Sequence, residues 1–454
     1  MKKVLSTVAA LGLVAGLAST ASAVEFSMSG NYVAEGIYQD KAVGKETLST
    51  ADKADIITEF GLGALGITTG MIPTDVGGVN LNDSDASSDA WYQHTFELKP
   101  TMKVNDKISM FSTVRLADDS IWGSQDDTAG SMAANNDVYV HHLYMDYASP
   151  IGKIRVGRTP AGPYGTSFAD TDVRADRIML WPSFLKSGSL STLFYIQKST
   201  EGDAYDATSS SDNDHYEARL YYKNENLDSG IRYGFTNSNA ANHDNEKQSA
   251  SIYGKYKREN LFFNGELTYN FGDKNATVEY DSWGAMLEIG AKMDALTPSL
   301  MYFYASGDNN STDTDNEVFG TNTTTQGVTG SEFTPLYILT GRQTGLLNAD
   351  QYAADTDALS AGVHAIVAAV DFAASDRLTL HGAIGWAQAD AEKAGWDDEY
   401  GWEYNVGAAY KLLDNLTYEA HFGYLDTGDF FEGGVAGANT ENVYLLTHHL
   451  TMTF

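Results

Sequence analysis

The stretch that decides the fold runs from Glu441 to Phe454 and reads ENVYLLTHHLTMTF. Taken at every second position, Tyr444, Leu446, Leu450, Met452 and Phe454 fall on one face of an extended strand, and Thr447, His449, Thr451 and Thr453 fall on the other. His448 alone interrupts the apolar face. Such a strand belongs at a boundary between water and an apolar medium. The surrounding chain makes that demand sharper, because it carries 61 Asp and Glu against 29 Lys and Arg, a formal net charge of −32.

The other end narrows the choice. Residues 1–23, MKKVLSTVAALGLVAGLASTASA, have a basic start at Lys2 and Lys3, an apolar run from Val8 to Ala18 and small residues at Ala21 and Ala23. That pattern predicts an export signal cut after Ala23, leaving a mature domain over 24–454. The apolar run is short of the ~20 residues a spanning helix needs, and no other segment approaches that length.

Composition excludes several classes. The negative balance argues against a nucleic-acid partner. With no Cys, an exported chain must be held by backbone pairing and burial. The 43 Gly, 27 Tyr and 19 Phe against 8 Pro suit a large β architecture. A mean hydropathy of −0.30 is compatible with a membrane barrel, since only alternate residues of each strand face lipid.

Alternating segments then recur as hairpins. Tyr92, Phe96 and Leu98 turn at Asn105 and Asp106 into Ile108, Met110 and Val114. Leu143, Met145 and Tyr147 turn at SPIG into Ile154 and Val156. Tyr216, Leu220 and Tyr222 lead to Ile231, Tyr233 and Phe235; Ile252 and Tyr256 lead to Phe263, Leu267, Tyr269 and Phe271. Three more hairpins turn at Asp294, Asp376 and Asp414. Between hairpins lie polar stretches such as NSNAANHDNEK (237–247) and DTGDFFEGGVAGANT (426–440), expected as long solvent-facing loops. Residues 307–357 are expected on that long-loop, extracellular side, with Asp294, Asp376 and Asp414 on the periplasmic side. With strands at Phe26–Tyr38 and at the C-terminal end, the reading is an all-β transmembrane antiparallel barrel of 18 strands. The alternative is 16, should the pair around Ile178–Phe184 and Leu190–Ile196 merge. A soluble sandwich or propeller is the rival, disfavoured by strands near the ~10 residues needed to cross a bilayer.

One segment breaks the rhythm. After KIRVGR comes TPAGPYGTSFADTDVRADRIMLW, where Pro160, Gly162, Pro163 and Gly165 oppose regular pairing. GKIRVGRTPAGPYGTSFADTD resembles the strand, Gly-Arg pair and third extracellular loop of proteobacterial general-diffusion porins, and the export signal, hairpin rhythm and terminal Phe extend the likeness along the chain. The resemblance implies an inward-folded constriction loop at about 159–177, with carboxylates facing arginines. The residues offered for it are Asp170, Asp172 and Asp176 with Arg155, Arg158, Arg174 and Arg177, and, from other strands, Arg115, Arg219 and Arg232. It also implies a homotrimer in outer-membrane lipid and lipopolysaccharide, and a C-terminal signal (Leu450, Met452, Phe454) read by the outer-membrane assembly machinery.

The implied function is passive, modestly cation-selective diffusion of ions and small hydrophilic solutes in the bacterial outer membrane, with no enzymatic chemistry and no cofactor. The alternative is a substrate-selective channel, for a sugar for example, with Tyr221, Tyr253 and Phe262 as an aromatic track. A structural or adhesive barrel with an occluded lumen is a third class. GLGALG at 61–66 mimics a dinucleotide fingerprint without the strand and helix context. Asp308, Asp313, Asp315 and Glu317 cluster oxygen donors but lack the spacing of a calcium loop, so no metal is assigned. His141 with His142, and His448 with His449, are expected to point to opposite strand faces and so not to chelate.

Overall fold

A computed structural model describes residues 24–40, 46–47, 68, 75–76, 88–122, 138–160, 162, 164–169, 175–200, 213–240, 243–310, 313–320, 333–341, 346–347, 361–392, 395–432 and 441–454. Residues 1–23 and 61–66 therefore lie outside the described residues. Eighteen long strands account for most of the chain: β1 Glu25–Asp40, β2 Asp89–Asn105, β3 Ile108–Ile121, β4 Tyr139–Ser149, β5 Gly152–Thr159, β6 Ala175–Pro182, β7 Leu190–Thr200, β8 Asn213–Lys223, β9 Leu227–Ala240, β10 His243–Arg258, β11 Leu261–Asp273, β12 Glu279–Ala291, β13 Leu296–Ala305, β14 Val363–Ala373, β15 Leu378–Gln388, β16 Glu399–Leu413, β17 Leu416–Thr427 and β18 Val443–Thr453. Each pairs antiparallel with its sequence neighbours, and β1 pairs with β18 from Asn31↔Thr453 to Asp40↔Tyr444. The sheet is closed. The pair in doubt between 16 and 18 is resolved as two strands, β6 and β7, joined through a single 3-10 turn at Ser183–Leu185.

Closure extends to Phe454, which exchanges backbone hydrogen bonds with Gly30, Gly30 N–H to Phe454 O at 2.9 Å and Phe454 N–H to Gly30 O at 3.1 Å. A Cβ at position 30 would meet the Phe454 ring at 2.6 Å and the Glu97 carbonyl at 2.4 Å, so glycine is the residue that lets the aromatic side chain lie across the seam. Phe454 stays half exposed beside Phe96, and Met452 shares its outward face.

The outer surface is apolar. Ile231, Ile252, Ile289 and Val406 are all more than half exposed, which water does not tolerate over so continuous a band. Tyrosines edge it: Tyr404, Tyr424 and Tyr444 stack across three strands at one level, and Tyr410 pairs with Tyr418 at another. The six residue steps from Tyr404 to Tyr410 span ~20 Å of strand, close to the apolar band between aromatic girdles of a membrane barrel.

Two connections differ from expectation. NSNAANHDNEK is strand for most of its length: β9 and β10 pair as far as Ala240↔His243, leaving only 241–242 between them. Ladder hydrogen bonds do not require apolar side chains, so pairing continues into polar sequence. Within 307–357, expected on the extracellular side, part of the chain folds into the barrel, where Phe333, Leu336, Ile338 and Leu339 are fully buried with Val363, Ala365, Ala387 and Tyr400. That is the main apolar core of the molecule.

Candidate functional site

The inner wall of β3 to β9 carries an arginine series, each member placed by strand alternation opposite an outward apolar neighbour. Arg115 donates to Glu97 at 2.7 Å and Asp118 at 2.8 Å. Arg155 makes a two-pronged pair with Asp146 at 2.6 and 2.8 Å and covers the Tyr144 ring at 4.2 Å. Arg177 donates to Gln197 at 2.7 Å and to the Thr159 carbonyl. Arg219 pairs with Glu217 and reaches Tyr221 at 3.2 Å. Arg232 lies in register with Arg219. The carboxylates that answer these arginines sit on the wall itself.

Residues 162 and 164–169 pack against that wall several strands away. The Tyr164 hydroxyl lies 2.8 Å from the Ser251 carbonyl and 3.2 Å from that of Gly230, and its ring sits under Arg232 at 4.9 Å and Arg219 at 5.3 Å. Burial holds that hydroxyl protonated well above the usual phenol range. Thr166 gives both its N–H and its hydroxyl to Glu266, at 2.6 and 2.8 Å, and Arg219 donates to the Gly162 carbonyl at 3.0 Å. Gly165, at φ +73°, turns the chain against that carboxylate, where a Cβ would fall 2.4 Å from an oxygen. Glu266 alternates with outward Leu267, so the seat of this segment is the inner face of β8 to β11.

The second inward segment, 333–341, sits on β15 to β17. Ile338 and Leu339 donate their backbone N–H groups to the two oxygens of buried Glu403, each at 2.8 Å. Three inner glycines make the trough: a Cβ at Gly385 would meet Leu336 at 2.7 Å, at Gly407 the Tyr337 hydroxyl at 3.0 Å, and at Gly423 Ile338 at 3.3 Å. The segments meet in an aromatic knot, Phe168 stacked on Phe319 at 5.9 Å and edge-on to Phe333 at 5.4 Å.

Of the residues offered for the constriction, Arg115, Arg155, Arg177, Arg219 and Arg232 come together on the inner wall. Asp170, Asp172 and Arg174 lie outside the described residues. Arg158 and Asp176 are a correction: they share the outward face of Val156 and Ile178, are half exposed, and pair with each other at 3.3 Å. Arg158 lies three positions after Arg155, and an odd offset along a strand reverses the face. Tyr221 and Tyr253 flank Tyr164 at 6.1 and 5.0 Å. Phe262 lies inside the wall on β11 beside Gly290, apart from that pair.

The histidine expectation is half corrected. His448 faces outward between Tyr92 and Tyr418 while His449 faces inward, as expected. His141 and His142 instead stand 4.3 Å apart, ring edge to face, because a register shift opposite Thr113 and Val114 removes the simple alternation. Among the described residues, Asp308, Asp313, Asp315 and Glu317 do not bring three donor atoms together. Glu419, His421 and His449 do, all within 4.8 Å. Sequence reading missed this set because its members come from two strands.

The chain is similar to OccK8 (OprE) of Pseudomonas aeruginosa, at 10% identity, covering 94% of this chain and 98% of that one with a TM-score of 0.52. The fold is that of the porins. OccK3 (OpdO) of the same organism matches at 10% identity over 94% and 96% of the two chains, TM-score 0.50. No protein-family model matches the chain, and no curated protein matches it. The general-diffusion family suggested by residues 152–172 is thus supported as a fold rather than as a family.

Proposed function

We propose that the chain forms a water-filled channel in the bacterial outer membrane, passing ions and small hydrophilic solutes down their gradients without bond chemistry. The supporting observation is the two-sided wall, apolar and tyrosine-edged outside, lined inside by Arg115, Asp118, Asp146 and Arg155 that keep partial exposure. The segment at about 159–177 acts as the constriction in this reading. The path runs beside β2 to β7, since 160–169 and 333–341 occupy the inner faces of β8 to β11 and β15 to β17. Export by a cleaved 1–23 signal, a homotrimer, contact with lipid and lipopolysaccharide, and recognition of Leu450, Met452 and Phe454 by the assembly machinery belong to the same proposal.

Cation preference is part of it. The wall arginines 115, 155 and 219 each have an acid within hydrogen-bond reach, so the wall around them is locally close to neutral and the excess of 61 acids over 29 bases stands elsewhere on the chain. A narrow acidic pore concentrates cations, less so as salt shortens the Debye length below ~10 Å. Planar-bilayer recording in a KCl gradient tests both claims. Silence under all conditions would indicate an occluded barrel; an anion-selective reversal potential would overturn the sign. Asp170→Asn with Asp172→Asn should move the reversal potential toward anions.

A second reading, a substrate-selective channel, is favoured by the ring of Tyr164, Tyr221 and Tyr253 around Arg219 and Arg232. Saturable block of the ion current by one solute class, removed by Tyr164→Ala, would establish it.

A further inference from the structure

Near the short-turn end of the barrel, β17 and β18 place three donors on the inner face. Glu419 and His421 lie two residues apart on one strand, and His449 stands directly across the ladder from Glu419. His449 Nε2 is 2.7 Å and His421 Nε2 3.5 Å from the same Glu419 oxygen, and the imidazoles are stacked at 5.5 Å. All three side chains are partly exposed, so a small ion reaches them from water. The far side of one ligand is fixed as well: His421 Nδ1 lies 3.0 Å from the hydroxyl of Tyr337, carried in by segment 333–341.

We propose that Glu419, His421 and His449 bind a divalent transition-metal ion, of which zinc is the type, on the lumen wall. Two imidazoles and one carboxylate are a donor set such an ion favours, and three protein ligands leave a coordination position open to lumen water. A tetrahedral ion at about 2.1 Å from each ligand needs donors roughly 3.4 Å apart, so the present spacings close on an ion with small side-chain rotations. Ligation requires a nitrogen lone pair from each imidazole, so binding releases any proton that those nitrogens carry. With Nδ1–H of His421 given to the Tyr337 oxygen, the Nε2 lone pair is left for the metal. Such outer contacts typically carry about 10- to 100-fold in metal affinity. Glu35, in register with His449 across the β1 to β18 seam, adds negative charge beside the site. Binding would also couple the wall to segment 333–341 through Tyr337.

Isothermal titration of the folded, detergent-solubilised barrel with Zn(II) alone tests the site independently of conductance. The wild type should bind one ion per chain saturably, and His421→Ala with His449→Ala should abolish that event. Tyr337→Phe, which keeps every ligand, should weaken it by about 10-fold. Co(II) substitution should give the visible absorption of a tetrahedral site in the wild type and not in the double variant. Heat-modifiable gel migration checks that the variants remain folded, and Glu419→Gln supplies a second ligand variant if they do not. Absence of saturable binding in the wild type, or unchanged affinity and stoichiometry in the ligand variants, would overturn the proposal.

Discussion

The two inward segments are fastened by the same device and seated on opposite chemistry. In each, a buried wall glutamate accepts backbone N–H groups: Glu266 from Thr166, Glu403 from Ile338 and Leu339. Around Glu266 the seat is tyrosine and arginine; around Glu403 it is alkyl side chains in a trough of glycines. Hydrogen bonds to a carboxylate are directional and fix register, whereas apolar burial supplies free energy with little direction. The inner face of the barrel thereby carries two unlike seats, a polar one on β8 to β11 and an apolar one on β15 to β17.

Removing 333–341, replaced by a short Gly-Ser link, should have the largest effect if that contrast is right. Single-channel conductance should rise several-fold while the barrel still folds. Unchanged conductance would mean that the segment does not stand in the conducting path.

Next come the two glutamates. Glu403→Ala strands two buried N–H groups at about 1–3 kcal/mol each, so it should destabilise more than Glu266→Ala, after which the Thr166 hydroxyl can find another partner. Urea unfolding and hydrogen exchange at 338–339 and 166 would rank them; equal losses would break the asymmetry. Tyr164→Phe is smaller, removing one hydroxyl but not the ring under Arg232, and should cost about 1 kcal/mol of local protection around 160–169.

The smallest effect lies at the root of the second connection. Partial burial and then the neighbouring Asp308, Asp313, Asp281 and Asp315 raise the Glu317 carboxyl above its ordinary value. A carboxyl that binds its proton more tightly when folded penalises folding at neutral pH and ceases to do so below its unfolded pKa. Glu317→Gln should therefore stabilise slightly at pH 7, and the gain should vanish on acidification to about pH 4. A gain that persists there would show that charge is not its origin.

Much of the barrel was legible because alternation is written residue by residue: Ile231, Tyr233 and Ile252 expose their side chains as period two requires. The arginine wall followed from the same rule, and the misplacement of Arg158 and Asp176 came from not applying it. Segment 333–341 was harder. FTPLYILTG is an apolar run inside a polar connection, and its receiving trough is spread over Gly385, Gly407 and Gly423 on three strands that only the closed sheet brings side by side. The Glu419, His421 and His449 set was hidden for the same reason, since cross-strand register is not a sequence-local property.

The seam between Gly30 and Phe454 sets an order of events in time. The pair Asn31↔Thr453 joins opposite ends of the sequence, so nothing in the first strand can be satisfied on that side until the last strand has been made and delivered. Until then both strands present bare edges of unpaired N–H and C=O groups, templates for any passing chain. Closing so distant a contact is slow, because the loop entropy is lost before the bonds form. Only the last hydrogen bonds of the chain, between its first and final strands, remove both edges at once.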